Sequence, residues 1–138
     1  MVKYWLTLTD KNNWEIIKEN NIYAVKSKKI LDILSVGDVI VMYLIPKRIV
    51  GIFQIENLKS NKRVKTISKG YSYIFDIKPS IILSEPFIVI QKGKRDFINK
   101  ISIFKNISRW GTILMGRSVI RITREDYVYI KRTLEEVR

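Results

Sequence analysis

The chain has 138 residues, of which 26 are lysine or arginine and 13 are aspartate or glutamate, so its formal net charge is +13 at pH 7. It contains no cysteine and no histidine, which excludes disulfides, thiolate catalysis, imidazole acid–base catalysis and zinc sites built from those residues. The hydrophobic fraction of 46% indicates a folded chain with a core rather than a disordered one, and no apolar run approaches the roughly 20 residues of a membrane span.

The first quarter of the chain predicts a strand followed by a short helix. Residues 4–8 are apolar and β-prone, and a polar turn follows them. Asn12 and Glu15 have the spacing of a capping box, which predicts that a helix over about residues 13–20 begins at Asn12. The pair Asn20-Asn21 is a typical helix end.

A second short helix and a β-hairpin come next. Ser27 is a typical cap for the helix, and Gly37-Asp38 then turns the chain into an apolar strand over residues 39–45. The strand over residues 49–55 is expected to form a hairpin with it. Gly51 within this second strand indicates a bulge or a close approach of two backbones.

The second half predicts further strands and a C-terminal helix. Residues 71–78 are interpreted as a strand that continues over 81–83 after Pro79, with β-prone residues again at 87–91. Three more elements follow in the prediction: a short helix over residues 94–100, a strand over 118–122, and a helix that starts at Thr123 with Asp126. About six strands and three or four short helices indicate an α+β pseudo-barrel in one domain over residues 1–138.

The charge favours a polyanionic partner, most simply nucleic acid. A membrane-surface protein would concentrate its basic residues on one amphipathic helix, whereas here they are spread along the chain. A lysine-rich surface that only confers solubility is the other alternative. Because no signal-peptide pattern is visible, a cytoplasmic location is expected.

Several aromatic residues lie near the ends of predicted elements, where they could stack on a nucleobase. These residues are Tyr23, Tyr71, Tyr73, Phe53 and Trp110, of which Phe53 and Trp110 are expected in the core. Tyr23 and Tyr71 are expected to be less buried, because each adjoins a polar or glycine-containing segment. Core packing is the alternative for each of them.

Polar and basic residues form two further groups. Thr9, Asp10, Asn12 and Asn13 lie by the first helix, where they could read base edges or simply cap the helix. The basic candidates for phosphate contacts lie on the polar loop over residues 58–70, at Lys92-Gly93-Lys94-Arg95 and in the glycine-containing segment 109–117, and comprise Lys62, Arg63, Lys65, Arg109 and Arg117.

The order of several motifs resembles that of EVE domains of the PUA-like superfamily. The resemblance covers essentially the whole chain and rests on these matches: Tyr4-Trp5-Leu6, Asn13-Trp14, Ile22-Tyr23-Ala24-Val25, Val36-Gly37-Asp38, Arg109-Trp110-Gly111, Leu114-Met115-Gly116-Arg117 and Glu125-Asp126-Tyr127. It implies a PUA-like, mainly antiparallel pseudo-barrel flanked by short helices.

EVE domains are similar to YTH domains, which read N6-methyladenine in RNA through an aromatic cage. That likeness implies a pocket for a nucleobase, with Tyr23 and Tyr71 as its aromatic walls. Asn13 would contact the nucleobase, where relatives have an acidic residue, and Thr9 and Ala24 would lie beside them. It also implies that Arg117 contacts the nucleic-acid backbone. Tyr23 stands where tryptophan is commoner, and the 58–70 loop is basic where relatives often carry acidic residues and prolines.

The resemblance, together with the charge, implies a nucleic-acid-binding module that recognises a modified base, either a modified cytosine in DNA or a methylated base in RNA. The alternative is a generic RNA-binding domain of PUA type without that preference. Neither cofactor nor metal is expected, and an enzyme is the less favoured hypothesis because no lysine, aspartate or tyrosine stands out as a catalytic group.

Overall fold

A computed structural model describes residues 1–45, 48–60, 73–88 and 119–137. These residues form six strands and three helices. In chain order they are β1 (Tyr4–Thr9), α1 (Lys11–Asn20), β2 (Ile22–Val25), α2 (Lys28–Ile33), β3 (Val39–Leu44), β4 (Arg48–Asn57), β5 (Tyr73–Ile88), β6 (Val119–Ile122) and α3 (Arg124–Val137).

The six strands form one mixed sheet in the order β2-β5-β4-β3-β1-β6. Strands β1 and β3 are parallel, whereas all other neighbouring pairs are antiparallel. The sheet is curled into a half-barrel, since the Tyr23 hydroxyl of β2 reaches the Leu8 carbonyl of β1 at 2.6 Å. In a flat sheet these two strands would lie about 19 Å apart, well beyond the reach of a tyrosine. The predicted α+β pseudo-barrel is thereby confirmed.

The sheet separates two hydrophobic clusters, because successive residues of a strand point to opposite faces. One cluster joins Leu6 and Leu8 of β1 to the inner face of α3 at Ile130 and Leu134. The other contains Trp5 of β1 together with α1 and α2 residues. Both faces of β1 and β3 are therefore covered, which is why these strands are almost continuously apolar.

Helix α1 begins two residues earlier than the sequence pattern predicted. Asp10 is the N-cap, and its carboxylate accepts a 2.8 Å hydrogen bond from the Asn13 backbone N–H. The prediction of Asn12 as the cap was wrong, because an aspartate directly after β1 already has the extended backbone that a cap requires. The predicted end is confirmed, since Asn21 adopts a left-handed conformation with φ of 52°.

The other two predicted caps are confirmed. The Ser27 hydroxyl accepts from the Ile30 backbone N–H at 3.3 Å at the start of α2. The Thr123 hydroxyl accepts from the Asp126 backbone N–H at 3.0 Å at the start of α3.

The hairpin of β3 and β4 carries the irregularity that Gly51 predicted. The pairing register of β4 shifts between Ile49 and Gly51, both against β3 and against β5. A Cβ atom at Gly51 would lie 2.5 Å from the Ile81 carbonyl oxygen of β5. Glycine is required here because two backbones approach too closely for any side chain.

The turn at Gly37-Asp38 is hydrogen-bonded to the start of β1. Gly37 has φ of +91°, and Asp38 is 1% exposed. The Asp38 carboxylate accepts hydrogen bonds from the backbone N–H groups of Lys3 and Ser35, at 3.1 and 3.0 Å, and from the Trp5 indole at 3.0 Å. One buried carboxylate thus joins the turn before β3 to the start of β1.

Strand β5 is longer than predicted. Residues 73–88 form one strand that continues across Pro79, as expected, and also includes the start of the β-prone residues 87–91. Pro79 lies opposite Phe53, next to a shift of register between Ile52 and Phe53, so the missing proline N–H falls at an irregular point of the ladder. The helix predicted over residues 94–100 and the segment 109–117, including Trp110, lie outside the described residues. Among the helices that the structure describes, none is long and apolar enough to cross a membrane.

Candidate nucleic-acid interface

The end of β1 and the start of α1 bring two of the predicted base-binding residues together. Thr9 is the last residue of β1 and is 5% exposed, and its carbonyl accepts from the Ile45 backbone N–H at 2.9 Å. Asp10 follows as the helix cap, and Asn13 lies in the first turn of α1. Asp10 accepts from the Asn13 backbone N–H at 2.8 Å, so the cap and Asn13 form one turn at the end of β1.

Tyr23 lies against this corner from the side of β2. Its hydroxyl donates to the Leu8 carbonyl, one residue before Thr9, at 2.6 Å. Its ring meets Phe75 edge-on, with centroids 5.7 Å apart and an angle of 61° between the planes. Thr9, Asn13 and Tyr23 therefore belong to one corner of the fold, which we call the β1–α1 corner.

The expected exposure of Tyr23 was wrong. The side chain is 2% exposed, close to the 0% of Phe53, which was correctly expected in the core. The reason is that β2 pairs with β5 and is covered on the Tyr23 side by the second hydrophobic cluster. A role for this ring at a bound base stays a prediction.

Ala24 is also buried, at 6% exposure, and pairs with Ile74 of β5. Since neighbouring strand residues face opposite sides, its methyl group points away from the face that carries Tyr23. Ala24 thus lies beside the β1–α1 corner without sharing its face.

The remaining predicted site residues lie outside the described part of the chain; they are Tyr71, Lys62, Arg63, Lys65, Arg109 and Arg117. The structure does describe the two ends from which the basic segment departs. Ser60 donates through its backbone N–H to the Ile74 carbonyl at 3.1 Å and through its hydroxyl to Asp76 at 2.7 Å. Tyr73, two positions after Tyr71, pairs with Val25 of β2.

A second feature, which the sequence did not single out, lies at the opposite end of β1. A surface cleft of about 810 Å³ is lined by Met1, Val2, Tyr4, Arg121, Ile122, Thr123, Arg124 and Asp126. A smaller cleft of about 510 Å³ on α3 shares Arg124 and adds Glu125, Val128, Tyr129 and Arg132. The available signal was the spacing of Arg124, Val128 and Arg132, which places them on one helical face.

Two tyrosines in the described part of the chain have perturbed acidities. Burial raises the pKa of Tyr43, which has no exposed surface. Burial is also the main cause that raises the pKa of Tyr127, with smaller contributions from Tyr4 and Glu135. In residues 1–45, 48–60, 73–88 and 119–137, no group of three or more acidic side chains is arranged to hold a metal ion.

Comparison with known proteins identifies relatives of the whole chain. No family model matches. A UPF0310 protein of Pyrococcus horikoshii is 30% identical over 152 residues, which cover 95% of this chain and 98% of the relative. This chain belongs to the UPF0310 family. A second UPF0310 protein, from Pyrococcus abyssi, is 28% identical over 147 residues and covers 96% of this chain and all of the relative.

Solved structures share the fold of this UPF0310 chain at low sequence identity. The YTH domain of Mmi1 in complex with RNA superposes with a TM-score of 0.69 at 12% identity, over 99% of this chain and 79% of that chain. A hypothetical protein from Leishmania major has a TM-score of 0.65 at 15% identity, covering 99% and 97%. Rpa0253 from Rhodopseudomonas palustris has a TM-score of 0.62 at 17% identity, covering 99% and 96%. The YTH-like fold is therefore confirmed, and the EVE assignment stays a prediction.

Proposed function

We propose that this UPF0310 protein binds nucleic acid and holds one base at the β1–α1 corner. The observation that carries the proposal is the likeness in fold, over 99% of the chain, to a YTH domain that was solved with RNA. The net charge of +13 supports it, because a strongly basic chain attracts a polyanionic strand.

The β1–α1 corner offers suitable chemistry for a base. The Asn13 carboxamide can both donate hydrogen bonds to a base edge and accept them from it. The first turn of α1 also exposes backbone N–H groups, which carry partial positive charge. Asp10 accepts from the Asn13 backbone N–H, which fixes the position of Asn13 in the first turn of α1.

The preferred base is proposed to be a modified one, stacked between Tyr23 and Tyr71, with phosphates held by the predicted basic residues. The support for this finer part is the order of motifs shared with EVE domains and the pairing of β2 with the strand that follows Tyr71. The ring of Tyr23 is 2% exposed, so a base that stacks on its face requires a shift of the surrounding side chains.

The burial of the Tyr23 ring favours a second candidate function, that of a nucleic-acid-binding domain without preference for a modified base. In that case Tyr23 serves only to tie β2 to β1 through Leu8, and binding depends on phosphate contacts. The two candidates differ in a measurable way, since phosphate contacts are insensitive to base modification and strongly sensitive to salt.

Binding is tested by fluorescence anisotropy with labelled single strands of RNA and DNA, each with and without N6-methyladenine or a modified cytosine. We expect Asn13→Ala to weaken binding of the preferred strand by about tenfold, equivalent to about 1.4 kcal/mol. Asn12→Ala removes the same side chain from the neighbouring exposed position of α1 and is expected to change affinity by less than about twofold.

The aromatic wall is tested with a second matched pair. Tyr23→Leu and Phe75→Leu each remove one ring of the same buried contact. If the base stacks on Tyr23, only Tyr23→Leu reduces the preference for the modified strand, at equal folded fraction measured by circular dichroism. Equal affinity for all strands, unchanged in Asn13→Ala, would instead support the second candidate.

Binding without catalysis is part of the proposal. Absence of binding to every strand at low salt would overturn both candidate functions. Incubation of the purified protein with the same oligonucleotides, followed by mass analysis of the strands, tests the enzymatic alternative. Multiple turnovers of any strand would show that the protein is an enzyme.

A further inference from the structure

The cleft at the far end of β1 is separate from the β1–α1 corner. Tyr4 at the start of β1 pairs with Ile122 at the end of β6, and both line the larger cleft. Thr9 lies at the other end of the same strand. Tyr4 and Thr9 are five positions apart along β1, which corresponds to about 17 Å. One nucleotide cannot contact both places.

Three arginines line the two adjoining clefts. Arg121 belongs to β6, and its guanidinium lies over the ring of Trp5, its partner on β1. Arg124 and Arg132 are two turns apart on one face of α3, with Val128 between them. Arg124 lines both clefts and so connects them. We call these three residues the arginine track.

The arginine track is not neutralised by acidic partners. Across the part of the chain that the structure describes, none of the three arginines takes part in a salt bridge. The acidic residues at the clefts are Glu125 and Asp126 in the first turn of α3, and Asp126 is 4% exposed. The exposed charges that α3 contributes to the clefts are therefore the guanidinium groups of Arg124 and Arg132 and the carboxylate of Glu125, while the Arg121 guanidinium lies 5.3 Å from the centre of the Trp5 ring.

Aromatic rings accompany the arginines. Tyr4 stacks on Tyr127, with centroids 4.6 Å apart and planes at 23°, and Tyr4 lines the larger cleft. Tyr129 lines the smaller cleft beside Arg132. Positive charge alternating with aromatic side chains along a groove is the chemistry that binds single-stranded nucleic acid, through phosphate contacts and base stacking.

We propose that the arginine track binds the flanking part of a single nucleic-acid strand, as a second contact surface beyond the β1–α1 corner. This inference rests on the proposed nucleic-acid-binding function and adds where the strand continues. Arg121, Arg124 and Arg132 contact phosphates of one strand, and Tyr4 and Tyr129 give flanking bases an apolar surface.

The test compares strands of two lengths. A strand of about 4 nucleotides fills only the β1–α1 corner, whereas one of about 12 nucleotides also reaches the arginine track. The variant Arg121→Gln, Arg124→Gln, Arg132→Gln is expected to weaken binding of the longer strand by at least about tenfold and to reduce the slope of log K against log salt by about 2. Binding of the shorter strand should change by less than about twofold.

A matched control removes the same charge from other exposed positions. This control is the triple variant Lys28→Gln, Lys29→Gln, Lys78→Gln. Its three positions are on α2 and β5, and none of them lines either cleft. If this control weakens binding of the longer strand as much as the arginine variant does, the inference is wrong and only the net charge matters. A single Arg124→Gln variant, which alters both clefts at once, is expected to give about a threefold loss and keeps the test valid if the triple variant unfolds.

Two further outcomes separate this inference from the proposed function. Loss of long-strand binding in the arginine variant, with no effect of Asn13→Ala, would support the arginine track and count against the base site. Unchanged binding in the arginine variant, with a loss in Asn13→Ala, would overturn the arginine track alone. Poly-glutamate that competes with the strand at equal charge concentration would show a general anion surface and would also overturn the inference.

Discussion

The hydroxyl of Tyr23 donates a 2.6 Å hydrogen bond to the carbonyl of Leu8, and this contact joins two strands that are four places apart in the sheet. It closes the half-barrel on the side where β1 leads into α1. Tyr23, which the resemblance assigns to a base pocket, thus also joins β2 to β1. The two roles can be separated by a substitution that removes the hydroxyl and keeps the ring.

Tyr23→Phe is expected to lower the free energy of unfolding by about 1–2 kcal/mol, because the buried Leu8 carbonyl loses this hydrogen-bond donor. Urea unfolding followed by circular dichroism measures the change. Tyr73→Phe is the control, since Tyr73 is 36% exposed and its substitution should cost less than about 0.5 kcal/mol. Equal stability of the two variants would mean that the hydrogen bond does not stabilise the closure.

Asp38→Ala is expected to destabilise the protein by about 3 kcal/mol or more. The substitution leaves the Lys3 and Ser35 backbone N–H groups and the Trp5 indole without their common acceptor. Asp38→Asn keeps one side-chain oxygen and should recover part of the loss. Thermal unfolding monitored by tryptophan fluorescence checks the order wild type, Asp38→Asn, Asp38→Ala, and a reversed order of the two variants would contradict this explanation.

Gly51→Ala and Gly37→Ala test two different reasons for glycine. At Gly51 the added methyl group meets the Ile81 carbonyl at 2.5 Å, so the strands must separate, at a cost of about 1–3 kcal/mol. At Gly37 no atom lies within 4 Å, and the cost of about 1 kcal/mol comes from φ of +91° alone. Gly37→Asn should therefore be milder than Gly37→Ala, whereas Gly51→Asn should be worse than Gly51→Ala in the same unfolding assay.

The buried phenol of Tyr43 is expected to make the protein sensitive to alkali. Since burial raises the pKa of Tyr43 in the folded state, the unfolded chain loses this proton first as the pH rises. The stabilising contribution is complete below pH 10 and is lost progressively above it, by up to about 1.4 kcal/mol per pH unit.

Unfolding measured from pH 8 to pH 11.5 in wild type and Tyr43→Phe checks this dependence. The variant should lose less stability above about pH 10 than the wild type does. Phe53→Leu is the control, because it removes buried core volume without removing a titratable group, and its pH dependence should match that of the wild type. Parallel curves for all three proteins would refute the assignment.

Local sequence signals predicted the parts of the fold that depend on neighbouring residues. Ser27 and Thr123 cap their helices as expected, Asn21 ends α1, and the close approach at Gly51 is confirmed. The one incorrect cap shows the limit of such signals. Asp10 and Asn12 are both good caps, and the end of β1 decided between them.

The candidate site was harder to predict because its geometry depends on contacts between distant segments. The motif order correctly led to the YTH-like fold, and it named Thr9, Asn13 and Tyr23, which the curled sheet brings to one corner. It did not reveal that Tyr23 is buried or that an arginine track crosses from β6 to α3. The sequence near those residues does not indicate which distant segments pack against them.

The sequence by itself determined the excess of positive charge, the absence of thiol and imidazole chemistry, and the alternation of apolar strands with capped helices. These properties follow from composition and from interactions within a few residues. Only the tertiary structure decided that Tyr23 meets Leu8 and that Arg121 lies beside Arg124 at one end of β1 while Asn13 lies at the other. Strand order and curvature set those distances, because they arise from packing between segments that are far apart along the chain.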